Sequence, residues 1–216
     1  MTWSMNEGEA LAKKAARGAG MSWGLTEETG KATRALLELG LEATGPLAAL
    51  LTRHDGVAYA QIAPMDGWSA RGGALCPIAA GVAVSDCAAG LTQSPITIGR
   101  VASPMFLIPF AQAAARQINA VVCLAWDGLE IQASPTGVRL TGTLDALLCA
   151  ETAALHVSAA TATTTTTAGQ ALPHHSRATI STETAAALNA FAHRTYAPAT
   201  EASRLAGAGA GLSDND

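Results

Sequence analysis

Arg194, Tyr196, Glu201, Ser203 and Arg204 stand close together in an otherwise Ala-rich stretch, and Gly207, Gly209 and Gly211 follow them. Guanidinium groups recognise carboxylate or phosphate through forked, charge-assisted hydrogen bonds. A glutamate and a tyrosine beside them are suited to moving protons. Alternating glycines leave backbone N–H groups free to cradle an anion. The other end of the chain offers Arg17, Ser22, Trp23, Glu27 and Glu28. Taken together these residues predict a site for a small anionic metabolite. Arg194, Arg204, Ser203, Gly207, Gly209, Arg17 and Trp23 would hold it, and Glu201 and Tyr196 would act as the catalytic pair. The same charges equally suit a salt-bridge network between subunits, so a non-catalytic oligomeric accessory protein is the alternative.

Other motifs lose to plainer explanations. Gly20-Met21-Ser22-Trp23-Gly24 fits the G-x-S-x-G pattern of serine hydrolases, but that chemistry needs a strained strand-to-helix turn. The preceding residues have helical character, so Ser22 is expected to cap a second helix at a helix–helix corner. Gly18-x-Gly20 and Gly207-x-Gly209-x-Gly211 do not complete a dinucleotide fingerprint and follow no predicted strand. His174-His175 has no carboxylate or cysteine at ligand spacing, and a frayed acidic end accounts for Asp214 and Asp216, so no metal site is expected. Among the cysteines, Cys123 is expected in the core and Cys76, before Pro77, is the one thiol worth testing, without an indicated His partner. His54, beside Asp55, is expected to be solvated in a turn.

Composition narrows the classes. Of 216 residues, 49% are hydrophobic but only 4% aromatic, so the core must be built from small aliphatic side chains. Only 14% are charged, which leaves surface suited to a subunit interface and predicts a homo-oligomer. The net charge of −4 and the absence of a basic stripe argue against nucleic acid. Lysine occurs only at positions 13, 14 and 31, which disfavours Schiff-base and pyridoxal phosphate chemistry. No cofactor is indicated. Cys76, Cys87, Cys123 and Cys149 form no C-x-x-C pair, no signal peptide opens the chain, and no apolar run reaches membrane-spanning length. A reducing cytoplasm is the expected compartment, with no membrane partner.

The elements that must position these residues fall into two portions of one expected domain, 1–216. Residues 1–53 predict three helices. The first is capped at Ser4 or Asn6 and ended by Gly18 and Gly20; the second carries Leu25, Thr29, Ala32, Leu36 and Leu39 on one face; the third starts at Thr44–Pro46. Residues 54–216 predict an α+β body with a Gly-rich tail. Its strands are expected at Val57–Ala63, Ile96–Val101, Ala120–Trp126, Leu129–Ala133, Val138–Thr141 and Ala153–Ala160. Asp127-Gly128 supplies the hairpin turn. Helices are expected at Leu75–Gly90, Ser103–Ile118, Thr143–Glu151 and from Ser181 to Ala192 or His193, and the Thr-rich run 161–167 reads as a loop. The fold class is therefore α+β, a helical N-terminal portion followed by a mixed, partly antiparallel sheet with covering helices.

The run Asn6-Glu7-Gly8-Glu9-Ala10-Leu11-Ala12-Lys13-Lys14-Ala15-Ala16-Arg17-Gly18-Ala19-Gly20, then Ser22-Trp23-Gly24, resembles an uncharacterised bacterial family, domain of unknown function 3726. The closing segment from Arg194 to Gly211, with Asp214-Asn215-Asp216, is similar too. The resemblance implies a bacterial cytosolic protein over essentially the whole chain. It carries no assigned activity and no catalytic residue.

Overall fold

Small apolar residues at helical spacing build the first layer. In this computed structural model, which describes residues 2–160 and 169–196, a short strand β1 (Thr2–Ser4) leads into α1 (Met5–Gly18). Ser4 and Glu7 close a capping box: the Ser4 hydroxyl accepts from the Glu7 N–H, and the Glu7 carboxylate accepts from the Ser4 N–H at 2.7 Å. Helices α2 (Trp23–Glu38) and α3 (Thr44–His54) follow, with Gly40 at φ 73° ending α2. Leu11, Ala12, Ala15 and Ala16 of α1 face Ala32 and Leu36 of α2 and Leu47, Leu50 and Leu51 of α3 in one buried cluster.

The predicted strand over Val57–Ala63 is instead a single helical turn, α4 (Tyr59–Ile62). Its alternation of apolar residues mimics a strand, but its carbonyls find partners elsewhere. Gln61 O accepts from Gly72 N at 2.7 Å and Ile62 O from Cys76 N at 2.9 Å, so no ladder forms. Residues 64–74 loop as expected, and α5 (Pro77–Asp86) starts with Pro77 at its first turn. A 3₁₀ turn (Ala88–Thr92), β2 (Ile96–Ile98) and β3 (Val101–Ala102) come next. The helix expected from Ser103 is a 3₁₀ turn (Pro104–Leu107) running into α6 (Ile108–Ile118). Ser103 is left-handed, at φ 41°, and makes no capping hydrogen bond.

The meander is β4 (Val121–Trp126), β5 (Leu129–Ser134) and β6 (Gly137–Thr141), with the Asp127-Gly128 turn at φ 45° and 78°. Then come α7 (Leu144–Leu147), β7 (Glu151–Thr152), β8 (Leu155–Ala160), β9 (Gln170–Ala171), β10 (Arg177–Thr179) and α8 (Thr182–His193). Ser181 caps α8 from the Thr184 N–H at 3.0 Å. The main sheet has the order β2-β8-β4-β5-β6-β9 with antiparallel ladders, so the fold is α+β. Val122, Leu124, Ile131, Val157 and Leu155 bury one sheet face in the cluster that also holds Ala111, Ala114 and Ala115 of α6. Two small sheets, β1 with β10 and β3 with β7, tie the chain ends and loops to this frame.

One glycine sets the geometry that follows. A Cβ on Gly18, the last residue of α1, would lie 1.8 Å from the Phe191 carbonyl oxygen of α8. Only glycine lets the C-terminal ends of these two helices meet so closely. This contact brings Arg194, three residues beyond Phe191, next to Arg17.

Candidate functional site

The corner between α1 and α2 lies against the end of α3, the α4 turn and the start of α5. Among them is a partly open cavity of about 360 Å³. Its walls are mainly apolar: Ala19, Met21, Leu25, Leu51, Val57 and Ile62. Ser22, His54, Tyr59 and Cys76 supply the polar groups and Gly20 the bare backbone. Ser22 occupies the N-cap position of α2 but makes no capping hydrogen bond. The corner is helix to helix, so Ser22 is not on a nucleophile elbow.

His54 is not solvated, which corrects the expectation from sequence. It is 6% exposed, and neither Nδ1 nor Nε2 has a hydrogen-bond partner among the described residues. The cause is helical spacing: His54 follows Leu47 by seven residues and Leu51 by three, so it continues the buried face of α3. Burial first, and the neighbouring Arg53 charge second, push the imidazole down from 6.5 to about 4, so it is neutral at ordinary pH. Buried polar groups without partners are uncommon and costly, and they concentrate where a ligand completes them. Cys76, the residue before α5, shares the cavity and is fully buried. Burial pushes its thiol up, opposed by the Ala79 and Ile78 amides at the start of α5. Cys76 is therefore a neutral thiol beside a neutral imidazole. Cys123 is half-buried in β4 rather than in the core.

Beyond Gly20 a second, open cleft of about 560 Å³ is bounded by Arg17, Gly20, Trp23, Arg194 and Thr195. Three residues predicted from opposite ends of the sequence meet here. The Arg17 guanidinium lies over the Trp23 ring, 4.5 Å from its centroid, and donates to the Met21 carbonyl at 2.8 Å. Arg17 has no carboxylate partner among the described residues. Arg194 is different. It stacks on Phe191 at 4.6 Å and forks onto Asp55, at 2.7 and 3.0 Å. That pairing holds the Asp55 carboxyl below its usual range. Tyr196 turns its ring edge-on to His193, 5.3 Å between centroids, and does not line the cleft. Glu201, Ser203, Arg204, Gly207 and Gly209 lie outside the described residues. Among the described residues no group of three or more His, Cys, Asp or Glu side chains could hold a metal ion. In the loop carrying His174-His175, the His175 N–H donates to the Glu38 carbonyl at 2.7 Å. No helix among the described residues is long and apolar enough to cross a membrane.

The model of a family described as "Protein of unknown function (DUF3726)" matches residues 3–76. That match takes in the N-terminal motif from Asn6 to Gly24 and ends at Cys76. Every residue lining the apolar cavity falls inside it. Arg194 and the C-terminal motif fall beyond it. No curated protein matches the chain.

Proposed function

We propose that the protein binds a small anionic metabolite at the α1–α2 corner. The anion sits over Arg17 in the outer cleft, and the apolar cavity beyond Gly20 takes the apolar remainder. The observation that carries this reading is Arg17 itself. Its charge is stacked on exposed Trp23, unmatched by a described carboxylate, in an open cleft that shares Gly20 with the apolar cavity. Arg194, held by Asp55, shapes the far wall. Glu201 is kept as the group that would move a proton in a turnover of the bound acid, and Ser203, Arg204, Gly207 and Gly209 as further anion contacts; Tyr196, packed on His193, is set aside. With four free thiols, we place the protein in a reducing cytoplasm.

The test is thermal shift and calorimetry with a series of carboxylates running from acetate to 2-naphthoate. A larger acid should raise Tm by several degrees in the wild type. Arg17→Gln should weaken its binding about ten-fold, the loss of one charge-assisted contact. A flat series, or an Arg17→Gln variant that binds as well as wild type, would contradict the reading.

A second reading, an oligomeric accessory protein, is favoured by the exposed apolar groups around the same mouth: Trp23 at 69%, Tyr59 at 55% and Val57 at 41%. Light scattering decides it. A monodisperse monomer removes it, and an oligomer that dissociates on Trp23→Ser supports it.

A further inference from the structure

The buried imidazole of α3 faces a problem that the described residues do not solve. A neutral His carries one N–H donor and one lone pair. In His54 both are shut away from solvent and both are unpartnered among the described residues. The cavity it lines is walled by four segments of chain, mostly apolar, with a volume at the small end of the range of organic-ligand sites, roughly 300–1,000 Å³. Tyr59 at the mouth is more than half exposed, so the cavity has an aromatic rim open to solvent.

We infer that this cavity is the binding site for an apolar-bodied hydroxyl compound, a phenol or alcohol, and that a half-turn of the closed-off His54 ring about χ2, which exchanges its nitrogen and carbon positions, presents a nitrogen to the ligand hydroxyl. The inference rests on the cavity being a ligand site, as in the reading above, and not on an anion at Arg17.

The ligand class follows from what His54 can satisfy. A hydroxyl both donates and accepts, so it can meet either face of a neutral imidazole and rotate to suit the tautomer. A carboxylate only accepts, and two acceptor atoms against one N–H would favour a protonated ring. Apolar walls and the adjacent Arg53 charge oppose that protonation. A pure hydrocarbon would fill the volume but leave both nitrogens orphaned, at the full cost of an unmade hydrogen bond. Cys76, as a buried neutral thiol, adds a weak donor and a soft apolar wall without adding charge.

The experiment is calorimetric titration of the full chain with 2-naphthol and with 2-methylnaphthalene, which differ by the hydroxyl. Wild type should bind 2-naphthol about ten-fold more tightly, one hydrogen bond's worth of discrimination. In His54→Phe, which keeps an aromatic ring of similar shape, the preference should vanish. Because the substitution removes orphaned polar atoms, Tm should rise rather than fall. ¹⁵N NMR of wild type provides a measurement that needs no variant: saturating 2-naphthol should shift a His54 ring nitrogen, and 2-methylnaphthalene should not. Equal binding of the two compounds by wild type, retention of the preference in His54→Phe, or unshifted His54 nitrogens would each overturn the inference. So would failure of both compounds to bind while 2-naphthoate binds through Arg17, which leaves the anion reading standing alone. Hydroxyl-dependent binding of 2-naphthol with no response to any carboxylate would do the opposite and leave only the cavity.

Discussion

The sheet body and the helical corner spend their polar groups in opposite ways. In the sheet, Trp126 is 3% exposed, yet its indole N–H donates to the Ala146 carbonyl at 2.9 Å, so burial is matched by a partner. At the corner, His54 is nearly as buried and has none among the described residues. The sheet packs its inner face against α6 in the main core cluster, and the corner keeps about 360 Å³ open beside the imidazole. A frame satisfies its groups because each orphan weakens it. A site leaves groups unsatisfied because a ligand must satisfy them.

The largest expected effect tests the joint between the two regions. Gly18→Ala places a methyl against the Phe191 carbonyl and should cost about 3 kcal/mol, the upper part of the usual overpacking range. For a chain of this size that lowers Tm by roughly 6–12 °C. It should also weaken 2-naphthoate binding, because α8 carries Arg194 away from Arg17. A variant as stable as wild type would mean that the two helix ends are not in such close contact.

Next in size, and opposite in sign, is His54→Phe. Removing two orphaned ring nitrogens should stabilise by about 1–3 kcal/mol in denaturant unfolding. A loss of stability would place hidden partners on His54. Its pH dependence sharpens the point. The folded pKa is depressed to about 4 against 6.5 unfolded, so only the unfolded state gains this proton between those values. Stability present above about pH 6.5 is therefore lost as pH falls toward 4, and the His54→Phe variant should show a shallower decline. Arg53, whose charge acts on this ring, pairs with Glu151, and the adjacent Asp55 pairs with Arg194. Those ion pairs remain in the variant, so the difference between the two pH curves isolates the imidazole.

Trp126→Phe should destabilise by about 1–2 kcal/mol, because it leaves the Ala146 carbonyl without its donor. The contrast with His54→Phe is what matters: the same kind of change should weaken the frame and strengthen the site. If both variants destabilise, the two regions do not differ as described. The smallest effect is expected from Arg194→Gln, which breaks a largely exposed pair with Asp55 and should leave Tm nearly unchanged. Its consequence should appear in ligand affinity instead.

Local signals made much of this architecture legible. Ser4 and Glu7 at capping-box spacing, Asp127-Gly128 between two β-rich runs, and Ser181 before a helical run each act within a few residues, and the structure has the elements they predict. What failed depends on distant partners. Val57–Ala63 alternates like a strand, but Gly72 and Cys76 claim its carbonyls and leave one helical turn. The pairing of β1 with β10 joins three residues to three others some 175 positions away, with no local trace. For the site, Arg17 and Trp23 from one predicted cluster and Arg194 from the other line one cleft. Missing was the centre of the corner. His54 continues the Leu47–Leu51 face by simple helical spacing, a signal present in the sequence but masked by the neighbouring Asp55-Gly56 turn.

The most direct test of the corner as a ligand site is an ¹⁵N NMR titration of the His54 imidazole in the unliganded protein. A ring that stays neutral down to about pH 4 is predicted, since burial without a partner penalises the charged form. A midpoint near 6.5 would mean a solvated or partnered imidazole, and would contradict the account at its centre.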